Sequence, residues 1–157
     1  MIIYRILSFI VTVFCSLLAM ITLFGIMMAF ANPAVLFQCF LMAGVVLYGW
    51  FANRFFAYVV IGKRQMSKKQ KDWLQVNAIV AFIFSLLGVV SCVTIIANPD
   101  QLNELIRQLP AEAEMTVKTF LNISYSLLSI CSILLVHIIW TYVLLRKNKA
   151  KVEPENV

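Results

Sequence analysis

Carboxylates are missing from the parts of this sequence where they would matter most. The chain has seven acidic residues among 157, and none lies within its four long uncharged stretches, Ile6 to Ala31, Ala34 to Asn53, Trp73 to Ala97 and Thr119 to Leu145. An apolar interior without Asp or Glu offers no acidic group for proton coupling or carboxylate chemistry. Histidine is nearly absent too: His137 is the single one, which leaves a metal site short of ligands. Cys15, Cys39, Cys92 and Cys131 fall one per stretch with no C-x-x-C pair, so they read as small, weakly polar core residues rather than as a redox motif. Charge of either sign is scarce, at 13% of residues against 62% hydrophobic, and what remains between the stretches is too short for a soluble domain with its own core. No catalytic residue, metal site or cofactor motif emerges, and the expected class is non-enzymatic.

What is present is membrane-spanning sequence. Each stretch reaches or exceeds the roughly 20 residues that cross hydrocarbon as a helix, and the second continues to Gly62 with only Arg54 charged. The runs lack the apolar/polar alternation of barrel strands, which leaves helices to satisfy the backbone in lipid. The sequence therefore predicts an all-α, antiparallel four-helix transmembrane bundle. Its spans fall at about 5–31, 34–61, 72–97 and 116–146, within one membrane domain over 1–147, followed by a cytoplasmic tail over 148–157. Met1 to Arg5 and Ala29-Phe30-Ala31 have the form of a signal peptide and its cleavage site. The apolar run between them exceeds the about 7–15 residues of a signal core, so it is expected to stay as the first span.

The net charge of +6 reports topology through its placement. Arg5 precedes the first span, Lys63, Arg64, Lys68, Lys69 and Lys71 crowd the second connection, and Arg146, Lys147, Lys149 and Lys151 follow the last. The first connection carries no charge, and the third sets Asp100, Glu104, Glu112 and Glu114 against Arg107 and Lys118. By the positive-inside rule both termini and the second connection are cytoplasmic, in a cell or inner membrane. The excess is thus assigned to the bilayer and not to nucleic acid. Lys63, Arg64, Lys68, Lys69 and Lys71 are the expected contacts for anionic lipid headgroups, each contributing about 1 kcal/mol of attraction.

Proline sets the turns. Asn32-Pro33 forces a tight hairpin, and Ala97-Asn98-Pro99 repeats its Ala-Asn-Pro form, which would make any duplication a parallel one. Beyond Asn98, Pro99 and Asp100 suit a helix start, and Leu102, Leu105, Ile106 and Leu109 share one face. A short amphipathic helix over Pro99 to Leu109 is predicted in the third connection.

Polar residues inside the spans fall into arcs. Ser8, Thr12, Cys15, Ala19 and Thr22 form one in the first helix, and Asn77, Ala81, Ser85, Gly88 and Ser91 one in the third. In the fourth, Asn122, Ser126 and Ser129 form a stripe on the same arc as His137 and Trp140. Such faces let membrane helices approach and exchange hydrogen bonds. Arg54 and His137 are the ionisable groups well inside the spans. Arg54 can snorkel to the headgroups or lie in the interface, and His137 can pack as a neutral core histidine. Alternatively the two, which counting from the basic ends brings to one level, form a candidate polar cluster with Asn77. The function that follows is an accessory or scaffold subunit that contacts the lipid bilayer and a membrane-protein partner or a second copy of itself. The alternative is a small oligomeric transporter or channel component with a path lined by the Ser/Asn stripe.

Overall fold

Cap and turn chemistry divides the chain into four long helices. The computed structural model describes residues 2–29, 33–98 and 116–148. Within them lie α1 (Ile2–Ala29), α2 (Pro33–Phe55), α3 (Lys68–Ala97) and α4 (Val117–Lys147), with no strand among the described residues. All four are long and apolar enough to cross a membrane, and the chain is an all-α four-helix bundle. The amphipathic helix expected at Pro99 to Leu109, and the tail beyond Asn148, lie outside the described residues.

Pro33 opens α2 at the position where a missing N–H costs nothing. The Ser67 hydroxyl accepts from the Gln70 N–H at 3.4 Å, and Thr116 accepts from the Thr119 N–H at 3.3 Å. Side-chain caps thus start α3 and α4 ahead of their apolar runs. α2 ends differently. Six residues, Phe56–Ile61, continue it as a π-helix, closed by Gly62 N–H donating to the Ala57 carbonyl and Arg64 N–H to the Tyr58 carbonyl, both at 3.0 Å. Lys63 between them has φ 52°, a left-handed conformation that turns the chain toward α3.

Because the helices alternate in direction, the start of α1, the α2–α3 connection and the end of α4 share one end of the bundle, hereafter the basic end. The exterior is apolar: Phe9, Phe24, Met27 and Trp50 are each more than 60% exposed. Polar side chains lie inside, with Ser8, Thr22, Asn77, Ser85, Ser124, His137 and Thr141 all buried. Lipid removes the hydrophobic drive between helices, so close contact and hydrogen bonds must hold them. Close contact comes from glycine. A Cβ at Gly49 would stand 2.5 Å from Cys15 Sγ, at Gly88 2.7 Å from Cys131 Sγ, and at Gly25 2.8 Å from Cys39 Sγ. Three of the four cysteines therefore seat on a glycine of the adjoining helix, and all four are free thiols.

Candidate functional site

The densest polar chemistry in the bundle lies where α1, α2 and α4 converge at the basic end. Tyr4 of α1, Tyr48 of α2, and His137 and Thr141 of α4 are each no more than 3% exposed. His137 and Thr141 are four residues apart and so share a helix face. Tyr48 Oη lies 2.8 Å from His137 Nδ1 and donates to Thr141 Oγ1 at 3.1 Å. Tyr4 Oη is 2.8 Å from Thr141 Oγ1, which donates to the His137 carbonyl at 2.8 Å. These four contacts need four protons, and the three hydroxyls supply three. Full use of the network therefore requires a hydrogen on His137 Nδ1, donated to Tyr48 Oη. Nε2 is left as a buried lone pair without a partner among the described residues.

Aromatic packing encloses the cluster. Tyr4 stacks on His137 at 5.0 Å and 25°, meets Trp140 edgewise at 6.0 Å, and packs on Phe56 at 4.5 Å. Tyr48 meets the imidazole edgewise at 5.8 Å. Every hydroxyl is engaged between helices, so the arrangement acts as a lock joining α1, α2 and α4. A second clasp lies beside it: Ser8 Oγ donates to Asn53 Oδ1, Asn53 Nδ2 donates to Thr12 Oγ1, and Thr12 Oγ1 donates to the Ser8 carbonyl. Among the described residues no group of three or more His, Cys, Asp or Glu converges as a metal site would require.

The structure sets the three residues of the expected polar cluster apart. Arg54 is exposed, with its guanidinium 5.5 Å from the Tyr58 ring centre. It lies twenty-one residues beyond Pro33 along α2, about 32 Å at 1.5 Å per residue, which is the full thickness of the hydrocarbon. His137 pairs instead with Tyr48, six residues nearer Pro33 and therefore about 9 Å deeper and about 120° around the helix from Arg54. Asn77 is buried, and its amide donates to the Trp73 carbonyl of its own helix at 2.8 Å. Counting from the basic ends sets Gly62 level with Arg146, whereas the Tyr48–His137 contact leaves fourteen residues of α2 from Tyr48 to Gly62 against nine of α4 from His137 to Arg146.

The fourth-helix stripe divides as well. Asn122, Ser126 and Ser129 are exposed while His137 is buried, although Ser126 and His137 stand only about 20° apart around the helix. The cause is α1. Its contact with α4 is much smaller than that of the other adjoining pairs, and Tyr4 covers the arc at the basic end. Farther along, the same arc is open, and Thr119, Asn122 and Ser126 line a shallow groove of about 380 Å³. Ser126 and Ser129 donate back to the Asn122 and Tyr125 carbonyls at 2.9 and 3.0 Å. The Asn122 side chain has no partner among the described residues. Lys63, Arg64, Lys68 and Lys69 are exposed, and Lys71 half-buried, around the α2–α3 connection.

Tyr4, Tyr48 and Thr141 escape a reading that seeks ionisable groups. The signal available was the His137/Thr141 spacing, together with tyrosines placed inside apolar runs. The fold and site together define a small four-helix integral membrane protein with an internal polar lock. No protein-family model, curated protein or solved structure matches the chain.

Proposed function

We propose that this protein is a non-enzymatic accessory or scaffold subunit of a membrane complex, receiving a partner helix along the half of α4 remote from the basic end. The observation that carries this reading is the exposed stripe of Asn122, Ser126 and Ser129. A polar stripe facing outward from a membrane helix gains hydrogen bonds from a neighbouring helix, about 0.6 kcal/mol each on average, that lipid tails cannot supply. Within this reading both termini and the α2–α3 connection face the cytoplasm, as the placement of lysine and arginine favours.

The same outward placement bears on the transport alternative. A path lined by this stripe would have to form between copies of the chain, since the stripe does not face the bundle interior. A photo-crosslinker placed by Ser126→benzoylphenylalanine or Ser129→benzoylphenylalanine, with Val76→benzoylphenylalanine as a lipid-facing control, separates these cases in native membranes. A discrete hetero-adduct at 126 and 129 but not at 76 supports the subunit reading, and an adduct of twice the chain mass favours the oligomeric transporter. Adducts to lipid alone at 126 and 129 refute both.

A further inference from the structure

We propose that the recess beside Arg54, at the basic end of α2, binds the phosphate of an anionic membrane lipid, with Arg54 as its principal ligand. The inference is independent of the partner-helix reading and goes beyond a diffuse attraction of surface lysines. The recess measures about 200 Å³ and is walled by Arg54, Tyr58, Gln65, Met66 and Gln70. Its walls come from the last turn of α2, the π-helical segment, the connection and the first turn of α3. Backbone geometry builds it: left-handed Lys63 and the Arg64 N–H bond to the Tyr58 carbonyl fold the connection back, and Met66, 4% exposed, pins it to the core.

Two guanidinium groups pack against the Tyr58 ring, Arg54 at 5.5 Å and Arg64 at 5.9 Å from its centre, and of the two Arg54 lines the recess. Neither forms an ion pair with a carboxylate among the described residues. Asp72, the one acidic residue described, instead lines a separate surface hollow with Lys68, Lys69 and Trp73. Two unneutralised cations on one ring make its surroundings favourable for an anion. The planar fork of arginine matches two phosphate oxygens, and the Gln65 and Gln70 amides add neutral donors. Depth selects the source of that phosphate. Arg54 stands about one hydrocarbon thickness from Pro33, and Tyr58, 47% exposed, is an amphipathic ring of the kind that sits at the headgroup level. Basic pockets at this level are where anionic headgroups dock.

The test uses the full chain in nanodiscs of phosphatidylcholine containing a small fraction of phosphatidic acid, with retained lipid counted by native mass spectrometry on release. Arg54→Gln should lower retained phosphatidic acid about tenfold, the loss of one bidentate charged contact. Arg146→Gln with Lys147→Gln, both exposed at the end of α4, removes more charge from the same end and should change retention by no more than about twofold, as for exposed, solvated charges. Arg54→Lys should restore only part of the binding, and Arg64→Gln should weaken it in the same direction, which keeps the proposal testable if either Arg54 variant misfolds. Equal losses in Arg54→Gln and the Arg146/Lys147 pair would overturn the site in favour of diffuse attraction. So would wild-type protein that retains phosphatidic acid no better than phosphatidylcholine. Displacement of the lipid by excess glycerol phosphate would assign the recess to a free anion and overturn the lipid.

Discussion

Tyr48→Phe tests the lock most directly, because it deletes one oxygen and leaves the ring in place. Tyr48 is fully buried, so water does not replace the lost group. His137 Nδ1 loses its 2.8 Å partner and Thr141 loses its 3.1 Å donor. Since Nε2 is already without a partner, the imidazole would be left with no side-chain hydrogen bond at all. An unsatisfied buried polar group costs about 1–3 kcal/mol in water-soluble proteins. Between membrane helices, single hydrogen bonds average about 0.6 and reach about 1.7 kcal/mol. Loss of both contacts sets the expectation near the top of the membrane range, about 1.5 kcal/mol. Tyr4→Phe removes a single contact to Thr141 while the stack on His137 persists, so its expected cost is about 0.6 kcal/mol. Unfolding by sodium dodecyl sulfate in mixed micelles, followed by circular dichroism and tryptophan fluorescence, reads both, with Trp140 reporting locally through its edge contact with Tyr4. A Tyr48→Phe protein within about 0.3 kcal/mol of wild type, or one more stable than Tyr4→Phe, would refute the proton assignment and the lock with it.

Gly49→Ala should destabilise the α1–α2 contact by about 1–3 kcal/mol, since its Cβ would meet Cys15 Sγ at 2.5 Å and Cβ at 3.2 Å. That exceeds the roughly 1 kcal/mol that alanine gains over glycine within a helix. Adding Cys15→Ala should recover the loss in the same titration, because it removes the clashing sulfur for only a 3.5 Å thiol contact to the Val45 carbonyl; failure to recover would show that the strain lies elsewhere. Topology is read by an impermeant maleimide, to which the four buried native thiols should be silent. Gln70→Cys should label only after permeabilisation and Asn103→Cys from outside, and the reverse pattern would sink the assignment of both termini to the cytoplasm.

Length and composition alone were enough for the four helices. Uncharged runs of this length leave the backbone no other way to satisfy itself in lipid. The helix starts were also local, since Pro33, Ser67 and Thr116 act on the turn that follows them. Periodicity likewise groups Asn122, Ser126, Ser129 and His137 on one arc of α4. It does not say what covers that arc. Only the tertiary structure decides that α1 reaches α4 at the basic end, burying His137 beneath Tyr4, and leaves the rest of the stripe open. The pairing of His137 with Tyr48 has the same origin. It depends on how far α2 slides past α4, which hydropathy does not record even though it carries the second span to Ile61. Rise and period are properties of one helix, readable from one stretch of sequence. Register and splay belong to pairs of helices, and here they were set by small residues in close contact and by hydrogen bonds between side chains far apart in the chain.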